Sequence, residues 1–322
     1  METDLHSINA AVEFYDERYE EGYMEEWDDA KKRKVGEIIK TLNLPETGNA
    51  LDYGCGNGVF TNIIKKCLPK WKVFGVEISA IAVKNASKKF PTCTFFVSDE
   101  AASFKQNFDF LFSHHVFEHV QDITETITQI NSYLAPISKQ LHILPCGNPG
   151  SYEYDICLLN KNGIEKNKDN RFFFEEPGHL RRLTSSELIE SMEQINFSIK
   201  DQFFANQYYG AVNWITKSSP RFVKKLTDPW NAIDEAAKNK LGALRKKLLN
   251  LTYRQFPYSK YWLIKSKWSK TTTDKIKLAM LFIPAMLSKP LFNKLDKLAG
   301  NEWNIKKRDY NGSEMYLFFQ RD

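Results

Sequence analysis

Five short apolar runs, at 50–53, 72–78, 94–97, 108–113 and 140–144, are each followed by polar or amphipathic residues, and the first three reach Gly54, Glu77 and Asp99 at or just past their ends. Runs of strand length that alternate with helix-period stretches point to a parallel sheet covered by helices, because a parallel crossover needs a dozen or more residues and a helix supplies them. Residues 8–42 precede this pattern, with Val12, Phe14, Tyr15, Tyr19, Tyr23, Trp27, Val35, Ile38, Ile39 and Leu42 spaced as helix faces. They predict one or two N-terminal helices. Thr184 and Glu187 have the spacing of a capping box ahead of Leu188, Ile189 and Met192, so a further helix begins there. A sixth strand is expected at 197–204, and a last one at 314–320 (EMYLFFQ) after the turn signal Asn311-Gly312.

Residues 211–310 break the alternation with basic, helix-prone sequence, so a helical insert is expected between the last two strands. The chain carries 45 Lys+Arg and 40 Asp+Glu, yet residues 216–310 alone hold 22 Lys+Arg against 7 Asp+Glu. A division of charge this uneven suggests an element facing an anionic membrane or nucleic acid, with a lysine-rich solvated insert as the plainer alternative. The apolar run at 278–287 is about ten residues long and interrupted by Pro284, whereas a spanning helix needs roughly 20, so no transmembrane segment is expected. The first 25 residues are acidic and polar, which predicts no secretory signal and a chain that starts at Met1. Five scattered cysteines without a C-x-x-C pair fit reduced thiols, and a soluble cytoplasmic enzyme is the expectation.

The densest signal is Leu51-Asp52-Tyr53-Gly54-Cys55-Gly56-Asn57-Gly58, between the run at 50–53 and an amphipathic helix expected at 59–67. Glycines let the backbone turn sharply and approach a ligand without a Cβ in the way, and the helix start offers unpaired N–H groups. Glu77 follows Gly58 by nineteen residues, at the end of the next strand, where a carboxylate can accept from both hydroxyls of a ribose. The third strand runs into Asp99, placed to meet an adenine amino group. Ordinary loop glycines and solvated acids are the competing reading. A nicotinamide site would favour Gly-x-Gly-x-x-Gly over the Gly-x-Gly-x-Gly found here.

Asp-x-Gly-x-Gly-x-Gly, a Glu after strand two and an Asp after strand three together resemble the class I S-adenosylmethionine-dependent methyltransferases, over residues 50–120 and more loosely to about 205. The resemblance implies an α/β fold: a Rossmann-like doubly wound sheet, mostly parallel with an antiparallel last strand. It divides the chain into N-terminal lid helices (1–45), a cofactor-binding core (46–210), the basic insert (211–310) and the last strand (311–322). It implies S-adenosyl-L-methionine as cofactor and S-adenosyl-L-homocysteine as product. Gly54, Cys55, Gly56 and Gly58 would line the methionine part, Asp52 would support the loop, Glu77 and Ile78 would hold the ribose, and Asp99 and Glu100 the adenine. Ser113, Tyr15 and Tyr19 complete the expected cofactor set, the tyrosines as a lid on a roughly i, i+4 stripe or, alternatively, as core packing.

After the fourth run comes Ser113-His114-His115-Val116-Phe117-Glu118-His119, at the carboxyl end of the sheet where ligands bind in such folds. The segment is similar to the Glu-x-x-Glu-His of ubiquinone-pathway and small-RNA 2′-O-methyltransferases, with His115 at the first acidic position and His179 downstream. Catalytic candidates are His115 as base, then His179 and His119. His115, Glu118, His119 and His179 are also candidate ligands for a divalent metal, a histidine-rich set that would favour zinc, iron or manganese over magnesium. A metal-free histidine base or a purely structural role is expected ahead of it. The expected activity is O-methylation of a small, lipid-linked or glycan-type acceptor. N- or C-methylation of a soluble metabolite and RNA 2′-O-methylation are the alternatives, and no RNA-binding module is visible.

Overall fold

The computed structural model describes residues 8–98, 107–267 and 270–321. Asp99, Glu100 and Trp268 lie outside them. Two compact units form, one from Met1–Leu144, Ser186–Gln202 and Tyr316–Asp322, the other from Pro145–Ser185 and Phe203–Met315.

In chain order the first unit begins with α1 (Ile8–Glu20), α2 (Asp29–Thr41), β1 (Asn49–Tyr53), α3 (Val59–Cys67), β2 (Lys72–Glu77), α4 (Ala80–Lys89) and β3 (Thr94–Val97). β4 (Phe108–His114), α5 (Ile123–Ser132) and β5 (Leu134–Pro145) follow. The second unit contains α6 (Tyr152–Leu158) and the two-residue strands β6 (Ile164–Glu165) and β7 (Arg171–Phe172), after which α7 (Ser185–Glu193) returns to the first. β8 (Ser198–Ala205) leads into α8 (Tyr209–Lys217), α9 (Pro220–Leu226), α10 (Glu235–Ser266) and α11 (Thr272–Lys306), and β9 (Glu314–Arg321) closes the chain.

The large sheet has the order β3-β2-β1-β4-β5-β9-β8, mostly parallel with one antiparallel strand, as the sequence predicts. The last strand enters between β5 and β8, and the basic helical segment is the connection between β8 and β9. β4 lies in the middle of this sheet, and its Phe108, Phe110, Leu111 and Phe112 are all buried, as expected for a strand covered on both faces. Side-chain caps mark where helices start: Ser79 accepts from Ala82 N ahead of α4, and Asp122 accepts from Glu125 N ahead of α5. Tyr53 is level with Val76 on one side and Ser113 on the other. The glycine loop after β1, Glu77 at the end of β2 and the histidine segment after β4 therefore emerge side by side at the carboxyl ends of the strands.

The second unit has its own apolar core, with Ile156, Cys157, Phe172, Ile215, Val223, Leu226, Leu241 and Leu248 buried together. Arg182 is buried between two carboxylates, its Nε 2.8 Å from Glu175 Oε1 and its Nη2 3.3 Å from Glu153 Oε2. Glu302 of α11 accepts the backbone N–H groups of Tyr208, Tyr209 and Gly210 at 2.8–3.0 Å, so an acid from a distant helix satisfies the start of α8.

One expectation needs correction. Pro284 does not interrupt the apolar run, because α11 continues through both Pro284 and Pro290. A proline removes one helix hydrogen bond, and packing offsets the loss here: Ala285, Ser288, Phe292 and Leu295 are buried on the face toward α10. Ser288 Oγ also accepts the Tyr258 N–H at 3.0 Å, next to Pro257 of α10. By length and composition alone, α11 is sufficient to cross a membrane.

Candidate active site

Gly54 and Cys55 both donate their backbone N–H to Val76 O, at 2.9 and 3.0 Å, which ties the glycine loop to the end of β2. Gly56 has φ +50°, and a Cβ placed on it would lie 2.9 Å from the Tyr19 hydroxyl. The loop thus forms a cradle that a side chain would fill, with Tyr19 of α1 over it. Burial and the nearby Glu77 carboxylate both push the Tyr19 phenol well above its ordinary range, so it stays a neutral donor.

Glu77 Oε2 accepts from Gly56 N at 2.8 Å, while Oε1 accepts from Ile78 N at 2.9 Å and Ser79 N at 3.4 Å. Burial raises this carboxyl and the three backbone donors counter the rise. Ile78 therefore enters through its backbone. Asp52 sits beneath the loop, and its Oδ2 accepts the Thr61 hydroxyl at 2.6 Å, linking β1 to α3. Burial pushes its pKa up to about 7. The Cys55 thiol is buried and raised by the same cause, which makes it a packing group.

α1 reaches the same surface through contacts that the sequence did not disclose. The Asp16 carboxylate accepts the Ser79 hydroxyl, and Asn57 Nδ2 donates to Tyr23 O at 2.9 Å. The Arg18 guanidinium lies 3.7 Å from the Tyr23 ring centre. Tyr15 Oη is 2.9 Å from His119 Nδ1, which joins this helix to the histidine segment. Trp27 was expected only as part of a helix stripe, yet its ring packs edge-on to His114 at 4.5 Å. The only sequence signal available for these contacts was the Tyr15, Tyr19 and Tyr23 spacing.

His115 has φ +56°, a left-handed conformation uncommon for a residue with a Cβ. Its backbone N–H donates to Ile143 O at 2.8 Å, and its Nδ1 is 2.8 Å from Glu118 Oε1. Such backbone strain persists where the surroundings over-determine it and concentrates at functional positions.

Ser113 falls elsewhere than expected. Its hydroxyl is buried and pairs with His142 Nδ1 at 2.7 Å, while His142 Nε2 is 2.9 Å from Gln140 Oε1. Burial pushes His142 down to about 3, so its ring is neutral and belongs to the sheet interior. His179 lies in the second unit, with Nδ1 3.7 Å from Glu175 Oε1 and Nε2 3.7 Å from Glu176 Oε1. Asp99 and Glu100 fall outside the described residues.

The sequence pattern of the methyltransferase-domain family matches residues 19–202, more than half of the chain. The chain belongs to that family. That family is one of class I S-adenosylmethionine-dependent methyltransferases. Trans-aconitate 2-methyltransferase of Variovorax paradoxus is 29% identical over 112 residues, covering 34% of this chain and 43% of its own. Ribosomal RNA small subunit methyltransferase C of Shewanella pealeana is 35% identical over 92 residues, 27% of either chain. This methyltransferase therefore matches less than half the length of those relatives. The solved structure of the YcgJ protein from Bacillus subtilis superposes with a TM-score of 0.46 at 18% identity, over 65% of this chain and 87% of that one.

Proposed function

We propose that this methyltransferase methylates an oxygen atom of a small, lipid-linked or glycan-type acceptor, with His115 removing the acceptor proton. The observation that carries this reading is the His115–Glu118 pair at 2.8 Å, held in a strained backbone conformation at the carboxyl end of β4, beside the cofactor cradle. S-adenosylmethionine, when bound, supplies a methyl group on a sulfonium, open to in-line displacement by a nucleophile. A hydroxyl is a poor nucleophile until its proton leaves, and a positioned base typically contributes 10²–10⁴-fold, as a rough range.

In this reading the chain's residues divide the work by place. Asp52 and Thr61 hold the floor of the loop, and the Gly56 backbone leaves room for the methionine part. Glu77 accepts from the ribose diol, and Asp99 and Glu100 take the adenine end. Tyr19 and Tyr15 close over the cofactor from residues 1–45, with His119 orienting Tyr15 through their hydrogen bond. Much of the remaining rate comes from alignment of acceptor and methyl group. His179 is the second candidate base.

Glu77→Ala is expected to weaken S-adenosylhomocysteine binding by about 1.5–3 kcal/mol, the range for a hydrogen bond to a charged acceptor, or roughly ten- to a hundredfold. Isothermal calorimetry checks this, and an unchanged dissociation constant would remove Glu77 from the ribose.

The reaction class is tested with a labelled methyl donor offered to hydroxyl, carboxyl and amine acceptors, with and without chelator. Label recovered as ether or ester, indifferent to chelation, supports the reading. Label on nitrogen or carbon, or on RNA alone, rejects it. Activity lost to chelator and restored by manganese or zinc would replace the histidine base by a bound metal.

A further inference from the structure

α11 presents two stripes of different character. Ala285, Ser288, Phe292 and Leu295, spaced i, i+3, i+7, i+10, are buried on the side toward α10, with Phe292 4.7 Å from the Tyr258 ring. Ile276, Met280, Ile283 and Leu287, spaced i, i+4, i+7, i+11, form a second stripe, and they are 57, 74, 70 and 79% exposed. Four large aliphatic side chains left open in one row are not needed for folding, since the helix already has a packed face.

The charge around that row has one sign. Residues 260–297 hold nine lysines and two aspartates. Both acids are already engaged: Asp274 caps its own helix through Thr271, and Asp296 pairs with Lys217 at 2.6 Å. Lys275 and Lys277 flank the apolar stripe at one end, and Lys289 and Lys294 at the other.

We propose that this face of α11 docks on the surface of an anionic lipid bilayer, with the helix lying in the interface and Ile276, Met280, Ile283 and Leu287 entering the acyl boundary. An apolar stripe bordered by lysines is what such a surface rewards, since the side chains gain burial while the ammonium groups meet lipid phosphates. The same lysines oppose pairing with a second copy, which would bring like charges together. A nucleic acid would use the lysines but leave the aliphatic row in water. The helix does not span in this proposal, because the uncharged stretch between Lys277 and Lys289 is 11 residues, about 17 Å of helix against a hydrocarbon core of about 30 Å. The proposal stands apart from the choice of acceptor, and bears on it only by placing the enzyme where lipid-linked acceptors are found.

The test is co-sedimentation of the full-length protein with phosphatidylcholine vesicles and with vesicles containing phosphatidylglycerol, at low and high salt. Wild type is expected to bind the anionic vesicles at least about tenfold more tightly than the neutral ones, and less tightly as salt rises. The triple variant Met280→Asp, Ile283→Asp, Leu287→Asp is expected to lose that binding while keeping its circular dichroism spectrum and its affinity for S-adenosylhomocysteine. The three side chains are exposed, so the retained fold is itself part of the prediction. A protein that ignores both vesicles, or a triple variant that binds like wild type, overturns the proposal. So does a wild type that sediments as a dimer and a variant that sediments as a monomer, which would assign the stripe to self-association. Failure of vesicle binding with methyl transfer intact would leave the proposed activity standing.

Discussion

His115→Asn is expected to lower kcat by roughly 10²–10⁴-fold while leaving S-adenosylhomocysteine affinity within about threefold of wild type. Asparagine is chosen because it tolerates the left-handed backbone that His115 occupies at φ +56°. Its amide can take the place of Nδ1 beside Glu118 Oε1, 2.8 Å away in the wild type, so the carboxylate keeps a polar neighbour. What it lacks is a ring nitrogen that can accept a proton. Steady-state kinetics with calorimetry of cofactor binding separates the two effects. A variant as active as wild type would take the base away from His115 and turn attention to His179→Asn, measured in the same way.

Gly54→Ala is expected to destabilise the protein by about 2–5 kcal/mol and to weaken cofactor binding, through two separate costs. The φ of +74° is one that a residue with a Cβ reaches at about 1–2 kcal/mol. The added Cβ would also lie 2.4 Å from Val116 Cγ2, an overlap of the kind that typically costs about 1–3 kcal/mol. Val116 follows His115 directly, so the displacement is passed to the histidine segment. Thermal or denaturant unfolding reads the first effect and calorimetry the second. Adding Val116→Ala removes the overlap but not the backbone cost, so the double variant should recover about half of the lost stability. No recovery would show that the left-handed backbone alone requires glycine at this position.

Much of this was legible in the sequence because it depends on neighbours along the chain. The five apolar runs, the glycine loop after β1 and Glu77 at the end of β2 are local patterns, and the sheet places them as the pattern requires. The insert between β8 and β9 was readable for the same reason, as a break in alternation followed by one last strand. Ser113 was misread because its position at the end of β4 is a local fact, whereas its hydroxyl is claimed by His142 from the adjacent β5. Pro284 was misread because proline acts locally against a helix, while the packing of Ala285, Ser288 and Phe292 on α10 is not local.

By itself the sequence determined the order of strands and helices, the position of the glycine loop and the sign of charge on the insert, since hydrophobic period, turn chemistry and composition are properties of short stretches. Only the tertiary structure decided that α1 lies over the glycine loop, that Glu118 holds His115, that His142 is a buried neutral group, and that α11 leaves one aliphatic row exposed. Each of those depends on which distant segment takes up a side chain's hydrogen bond or covers its surface, and packing chooses that segment among many that the sequence would allow.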